Sequence, residues 1–179
     1  MLGDDGKNNG IIARAVRKIF EQKQELESLA RDTTQVSLSV ELLEVYNEKV
    51  LDLLSKDAQE LKVTSNEVVG NVVVETTSIE QVLQVLDLAQ SRRCVKSTLS
   101  NAVSSRSHMI FTLNIAVNDR VGKLHICDLA GSERLSKSGA HHVGGALLEE
   151  SKNINKSLSV LSNVIERLQA GDANVPFRE

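Results

Sequence analysis

A run of hydroxyl and charged side chains occupies residues 100–108, which read SNAVSSRSH. Serine hydroxyls can coordinate Mg²⁺ or hydrogen-bond phosphate oxygens and an attacking water, and an arginine can pair bidentately with a carboxylate. The groups with that chemistry are Asn101, Ser104, Ser105, Arg106, Ser107 and His108. Because a turn needs only small residues, this crowding at the entrance of a predicted strand indicates a binding site.

A second group with phosphate chemistry follows the next predicted strand, in the segment DLAGSER. Asp128 lies at the carboxyl end of KLHIC, where ligands of open α/β sheets bind, and a carboxylate there can hold Mg²⁺ directly or through water. Gly131 would let its backbone N–H approach a phosphate closely, and Glu133 is a candidate partner for Arg106. Aspartate followed by glycine after a strand is more often a simple turn.

The two groups should meet if their strands pair. The segment NDRVG predicts a tight turn between them, so the start of one strand would lie beside the end of the other. A serine-rich helix cap and a surface salt bridge would explain each group separately, but they explain the conjunction poorly. Two loops that close on a γ-phosphate and relax when it leaves are the usual form of a nucleotide switch.

Apolar periodicity predicts the elements that carry these groups. Helical stripes cover 10–30, 79–93 and about 149–169, the second opened by a capping box of Ser78 and Gln81. Alternation predicts strands over 35–46, 109–117 and 120–129, two short β segments around Gly70, and a short helix at NEKVLDLL. The order predicts an α/β domain with a mixed central sheet flanked by helices.

Composition bounds the class of protein. The chain has 179 residues, 41% hydrophobic and 25% charged, which suits one folded domain. A net charge of -3 argues against a domain-wide nucleic-acid footprint, and no apolar run suggests a membrane span. Cys94 and Cys127 are expected to be buried, reduced thiols in a cytosolic protein.

Several motifs together resemble the kinesin motor domain. NAVSSRSH is similar to switch I of that family, DLAGSER to switch II, and NINKSL to the start of the relay helix. LLEVYNEKVLDLL, NNGIIARAVRKIF and VPFRE resemble further family segments in the family's order, from residue 9 to 179. The resemblance implies a partial motor domain over 1–179, with a P-loop NTPase-like fold, switch I at 101–108, switch II at 128–133 and the relay helix at about 149–169.

The resemblance also implies roles for individual residues. Ser105 would ligate Mg²⁺ and Asp128 would hold it through water, with Asn101 and Ser104 near the phosphates of ATP. The Gly131 N–H would sense the γ-phosphate, while Arg106 and Glu133 would form a latch that positions the lytic water. Phosphoryl transfer would then proceed by positioning and electrostatics.

Partners follow from the same resemblance. The acidic surface of tubulin would meet a face of the relay helix, in the cytoplasm on the microtubule cytoskeleton. Dimerisation would use regions outside this chain, and neither nucleic acid nor membrane is an expected partner. The candidate contacts are Arg134, Lys137, Lys152, Asn155 and Lys156, although for each lysine a solvated helix face is about as good an explanation. Leu147 and Glu149 stand where kinesins usually have basic residues, which weakens the expected affinity for microtubules.

Departures from the family pattern limit the expected activity. The phosphate loop G-x-x-x-x-G-K-[ST] is absent, and no S-K-L-T segment follows VPFRE. The chain is therefore expected to be the middle of a motor domain, marginally stable or associating because unpaired strand edges remain, and weak as an ATPase. The alternative is a non-catalytic module, derived from a kinesin, that binds microtubules or a partner motor. A small GTPase is set aside because N-K-x-D is missing.

Overall fold

The computed structural model describes residues 3–4, 8–29, 34–64, 67–97, 106–131 and 145–177. Three helices accompany nine strands in this part of the chain. The helices are α1 (Ile11–Leu29), α2 (Ile79–Ser97) and α3 (Gly145–Ala170). The strands are β1 (Gly3–Asp4), β2 (Asn8–Asn9), β3 (Val36–Tyr46), β4 (Lys49–Asp52), β5 (Glu60–Val63), β6 (Val68–Val69), β7 (Val74–Thr76), β8 (His108–Val117) and β9 (Arg120–Asp128).

A seven-stranded sheet organises the molecule. Its main path runs β6-β5-β4-β3-β8-β9, with β7 added to β3, and β1 and β2 form a separate pair. All pairings among the described residues are antiparallel. The long strand β3 pairs with β8 from Val36↔Val117 to Val45↔His108, which fixes the centre of the sheet. The predicted α/β class, a central sheet flanked by helices, is confirmed.

The hydrophobic core lies between one face of this sheet and helices α1 and α2. Alternate residues of β3 and β8 face the helices because successive side chains of a strand point to opposite faces. Their apolar partners come from one stripe of each helix, as the sequence periodicity predicts. Core members include Ile12, Val16, Phe20, Leu38, Val40, Leu42, Val82, Leu86, Ala89, Met109, Phe111 and Leu113.

The start of α2 follows the predicted capping chemistry. The Gln81 N–H donates to Ser78 Oγ at 3.3 Å, as the capping box requires. Gln81 Oε1 reaches one residue further back than predicted, and it accepts from the Thr77 N–H at 2.7 Å. Both α2 and α3 are longer than their predicted spans, since α2 continues to Ser97 and α3 begins at Gly145.

The predicted short helix at NEKVLDLL is wrong. Asn47 and Glu48 both adopt positive φ, 50° and 63°, which makes a two-residue turn of the kind that closes hairpins, and β4 pairs back onto β3. Asp52 then ends β4, because its Oδ1 accepts the Leu54 N–H at 2.8 Å and its Oδ2 accepts the Val72 N–H at 2.7 Å. Leu53 and Leu54 are buried as part of the core.

The cysteines need a second correction. Cys127 is a free thiol, as predicted, but it is exposed because β9 lies at the edge of the sheet and Cys127 points away from the α1–α2 side. Partial burial of the thiol raises the pKa of Cys127. The side chain of Cys94 lies outside the described part of the structure.

In the described residues, no helix is both long and apolar enough to cross a membrane.

Candidate functional site

The β8–β9 hairpin brings the two chemistry-bearing segments together. Register pairs Met109 with Asp128 at the open end of the hairpin and Val117 with Arg120 at the turn. Beyond the last pair, the Ala130 N–H donates to His108 Nδ1 at 3.1 Å. The prediction that the start of one strand lies beside the end of the other is therefore confirmed, and His108 lies against Ala130.

Ser107 and His108 point to opposite faces of the sheet. Successive residues alternate at the start of β8, so Ser107 shares the face of Met109 and His108 lies on the other face. Ser107 is fully buried toward α2, whereas His108, 8% exposed, contacts α3. Two adjacent residues therefore connect this strand entrance to both sides of the sheet.

On the α2 side, Ser107 completes a buried ion pair between Glu44 and Arg93. The Arg93 Nε donates to Glu44 Oε1 at 3.0 Å, and the two side chains are 8% and 1% exposed. Ser107 Oγ donates to the same carboxylate oxygen at 2.6 Å and accepts from Arg93 Nη2 at 2.9 Å. A buried pair is stabilised only when hydrogen bonds satisfy its remaining groups, and the Ser107 hydroxyl supplies two of them.

Sequence reasoning missed this network. Glu44 occupies an even position of β3, in line with Val40 and Leu42, where the alternation predicts an apolar residue. A carboxylate on the apolar side of a strand needs a buried cation, and that mismatch was the available signal.

On the α3 side, His108 forms hydrogen bonds through both ring nitrogens. Its Nδ1 accepts the Ala130 N–H, so Nε2 carries the proton in the neutral ring and donates to Ser157 Oγ at 2.9 Å. Ser157 Oγ in turn donates to the Ile154 carbonyl at 2.8 Å. Burial lowers the pKa of His108, which favours this neutral form.

Arg106 lies half-buried in a narrow cavity between the β3–β4 turn and α3. The same cavity is lined by Asn47, Glu48, His108 and Ser157. Its predicted latch partner, Glu133, lies outside the described residues, as do Asn101, Ser104, Ser105, Arg134 and Lys137.

Asp128 and Gly131 lie where the sequence predicts them, at and just after the end of β9. Within the described residues, the half-buried Asp128 carboxylate has no hydrogen-bond partner of its own and can accept one from a water. This fits a carboxylate that holds Mg²⁺ through water. The described residues contain no cluster of three or more histidine, cysteine or acidic side chains that could hold a metal without other ligands.

The candidate filament contacts on α3 are exposed and partly paired. Lys152 Nζ lies 3.0 Å from Glu149 Oε1, and Lys156 Nζ lies 3.3 Å from Glu48 Oε2. Both are surface pairs, which contribute at most about 1 kcal/mol, so either lysine can exchange its partner for another carboxylate. Asn155 is exposed on the same helix.

Known proteins with similar sequences are kinesins. A family model described as the kinesin motor domain matches residues 1–179. The kinesin-like protein KIN-14G of Arabidopsis thaliana is 40% identical over 182 residues, covering 94% of this chain and 18% of that protein. Human kinesin-1 heavy chain is 37% identical over 186 residues, covering 98% of this chain and 19% of that protein.

A solved structure agrees in fold. The structure of a fast kinesin, described with its ATPase mechanism and its interactions with microtubules, has a TM-score of 0.80 and 33% identity to this chain. The match covers 98% of this chain and 51% of that one. The chain therefore belongs to the kinesin motor domain family, and it spans about a fifth of the length of the two relatives compared.

Proposed function

We propose that this chain is the part of a kinesin motor that couples ATP hydrolysis to movement along microtubules. One observation supports the proposal: the β8–β9 hairpin pairs Met109 with Asp128, and His108 Nδ1 accepts the Ala130 N–H, so the entrance of β8 lies beside the segment that follows β9. Membership of the kinesin motor domain family supports ATP hydrolysis as the reaction. The hairpin supports a γ-phosphate sensor, because such a sensor needs two segments that lie close together.

Within the proposed site, the residues bind and orient rather than react covalently. Asp128 and Ser105 would hold Mg²⁺, which supplies charge neutralisation of the phosphates when bound. Asn101, Ser104 and the Gly131 N–H would bind the phosphate oxygens. Arg106 with Glu133 would close the site and orient water.

We further propose that α3 is the relay element, and that its exposed face contacts tubulin. Lys152, Asn155 and Lys156 would contribute from α3, and Arg134 and Lys137 from the segment before it. Dimerisation would depend on residues outside these 179.

A specific sequence feature favours a second candidate, a binding module without turnover. The 179 residues hold no G-x-x-x-x-G-K-[ST] loop to cradle the β- and γ-phosphates, so slow hydrolysis is expected from this chain by itself.

Co-sedimentation of the 179-residue chain with microtubules separates the candidates. We expect the pelleted fraction to differ between ADP, a non-hydrolysable ATP analogue and no nucleotide, each with Mg²⁺. Asp128→Asn should remove that difference, whereas Asp119→Asn, at the other end of the hairpin, should preserve it. Pelleting that ignores nucleotide would favour the binding module, and no pelleting at all would contradict both candidates.

A further inference from the structure

A directed chain of hydrogen bonds links the end of β9 to α3 through His108. It runs from the Ala130 N–H to His108 Nδ1, from His108 Nε2 to Ser157 Oγ, and from Ser157 Oγ to the Ile154 carbonyl. A backbone N–H can only donate and a backbone carbonyl can only accept, so every proton in the chain is assigned.

This series of hydrogen bonds is less exposed to solvent than the other polar contacts of α3. Asn153 Nδ2 donates to Asn47 Oδ1 at 2.7 Å, and Lys156 pairs with Glu48, but both contacts are exposed to solvent. His108 and Ile154, by contrast, are each 8% exposed. The Ala130–His108 bond is buried and the His108–Ser157 bond is partly buried, so neither is replaced by water without cost, and its two ends move together or the bond is lost.

We propose that His108 is the positioning residue that couples the segment after β9 to α3. A shift of the Ala130 peptide would displace the acceptor nitrogen or change the ring tautomer, and either change acts on Ser157. The inference deepens the proposed function, because the peptide that His108 holds directly precedes Gly131, the proposed γ-phosphate sensor. The coupling itself requires neither nucleotide nor microtubule.

The coupling predicts that a substitution on α3 changes the hydrogen exchange of the Ala130 amide. In Ser157→Ala, the Nε2–H of His108 loses its hydrogen-bond acceptor. The population ratio of the Nε2–H tautomer to the Nδ1–H tautomer should therefore fall by a factor of about three to ten, the value of one hydrogen bond. The other tautomer carries a proton on Nδ1 and cannot accept the Ala130 N–H. Exchange of the Ala130 amide should therefore accelerate several-fold, and ring ¹⁵N spectra should show both tautomers.

Matched variants separate coupling from packing. Ser162→Ala removes a hydroxyl from the same helix that bonds only its own backbone, the Leu158 carbonyl, and should leave the Ala130 amide unchanged. His108→Asn keeps an acceptor near the Nδ1 position and should preserve protection at Ala130, whereas His108→Phe keeps the ring volume and should lose it. Unchanged Ala130 exchange and a single Nε2–H tautomer in Ser157→Ala would overturn the inference.

These measurements also separate failure of the inference from failure of the proposed function. Amide exchange and ring ¹⁵N spectra are both measured on the protein without ligand. They therefore test the His108 connection even if nucleotide does not change the pelleted fraction. If pelleting does respond to nucleotide, Ser157→Ala should shrink the response and Ser162→Ala should not.

Discussion

His108 shows how much a single side chain at a strand entrance can determine. Its imidazole is buried among polar groups whose hydrogen atoms already point in one direction, so only the neutral ring with the proton on Nε2 fits. A proton added at Nδ1 would face the Ala130 N–H, donor against donor. The histidine therefore has a specific reason to remain neutral in the folded chain.

This predicts a pH dependence of stability. The unfolded chain takes up a proton at the usual histidine pKa of about 6.5, while burial lowers the pKa of His108 in the folded chain. The unfolded state thus binds more protons in the window below about pH 6.5, and the contribution of His108 is complete above that pH and lost as pH falls through the folded pKa. Among charged neighbours in the same cavity, Arg106 opposes protonation of the ring and Glu48 favours it.

Urea unfolding at a series of pH values measures the effect. The free energy of unfolding of the wild type should fall more between about pH 7.5 and about pH 5.5 than that of His108→Phe, which cannot titrate at this position. Parallel pH profiles for the two chains would contradict the prediction.

At the scale of elements, the Glu44–Arg93–Ser107 network joins α2, β3 and the start of β8. Arg93 lies near the end of α2, so the network holds the two flanks of residues 98–105 against a common carboxylate. A second α2 arginine, Arg92, donates to the Leu53 carbonyl at 2.7 Å and ties the same helix end to the segment after β4.

Removing the arginine should destabilise the fold strongly. Arg93→Leu leaves the Glu44 carboxylate buried without its cation, which should lower the free energy of unfolding by about 3–5 kcal/mol. Lys18→Ala, which removes an exposed partner of Glu21, should cost at most about 1 kcal/mol.

Urea titration of both variants at neutral pH tests this, and the double variant Glu44→Leu/Arg93→Leu refines it. Because the double variant leaves no unpaired charge, it should be more stable than Arg93→Leu alone. A single variant as stable as Lys18→Ala would show that the carboxylate finds another partner.

Elements were predictable from sequence where one periodicity dominates. The alternation in 36–46 and 109–117 and the helical stripe of α1 predicted strands and a helix at the right places, and NDRVG predicted the hairpin that brings His108 against Ala130. NEKVLDLL misled because its apolar spacing suits a helix, whereas the positive φ of Asn47 and Glu48 depends on pairing of β4 with β3. Contacts such as Arg93 with Glu44 join residues 49 positions apart, and periodicity carries no information about them.

At the scale of the whole molecule, the two sides of the sheet are unequal. The α1–α2 side holds a continuous apolar core, while the other side holds polar groups such as Glu41, whose carboxylate accepts from Asn114 and Asn71, each at 2.6 Å. The predicted apolar stripe of α3 is buried at Ile154 but reaches solvent further along the helix, where Ile165 and Leu168 are each 54% exposed.

We expect this exposed stripe to make the isolated chain associate. The double variant Ile165→Lys/Leu168→Lys should shift sedimentation velocity profiles toward a monomer. It places two charges on the apolar surface that would be buried between associated chains. Ser159→Lys adds a positive charge to the opposite side of the helix and should leave the profile as in wild type. A wild-type chain that remains monomeric at all concentrations would contradict the expectation.

The side chains of Ser107 and His108 point to opposite faces of the sheet, and this limits where the protein can tolerate an insertion or a deletion. A single residue inserted between His108 and Met109 would reverse the facing of the two residues before it, turning a hydroxyl toward Ser157 and an imidazole toward the Glu44 carboxylate. We therefore expect no insertion or deletion between His108 and Met109 in a chain that keeps both hydrogen-bond networks.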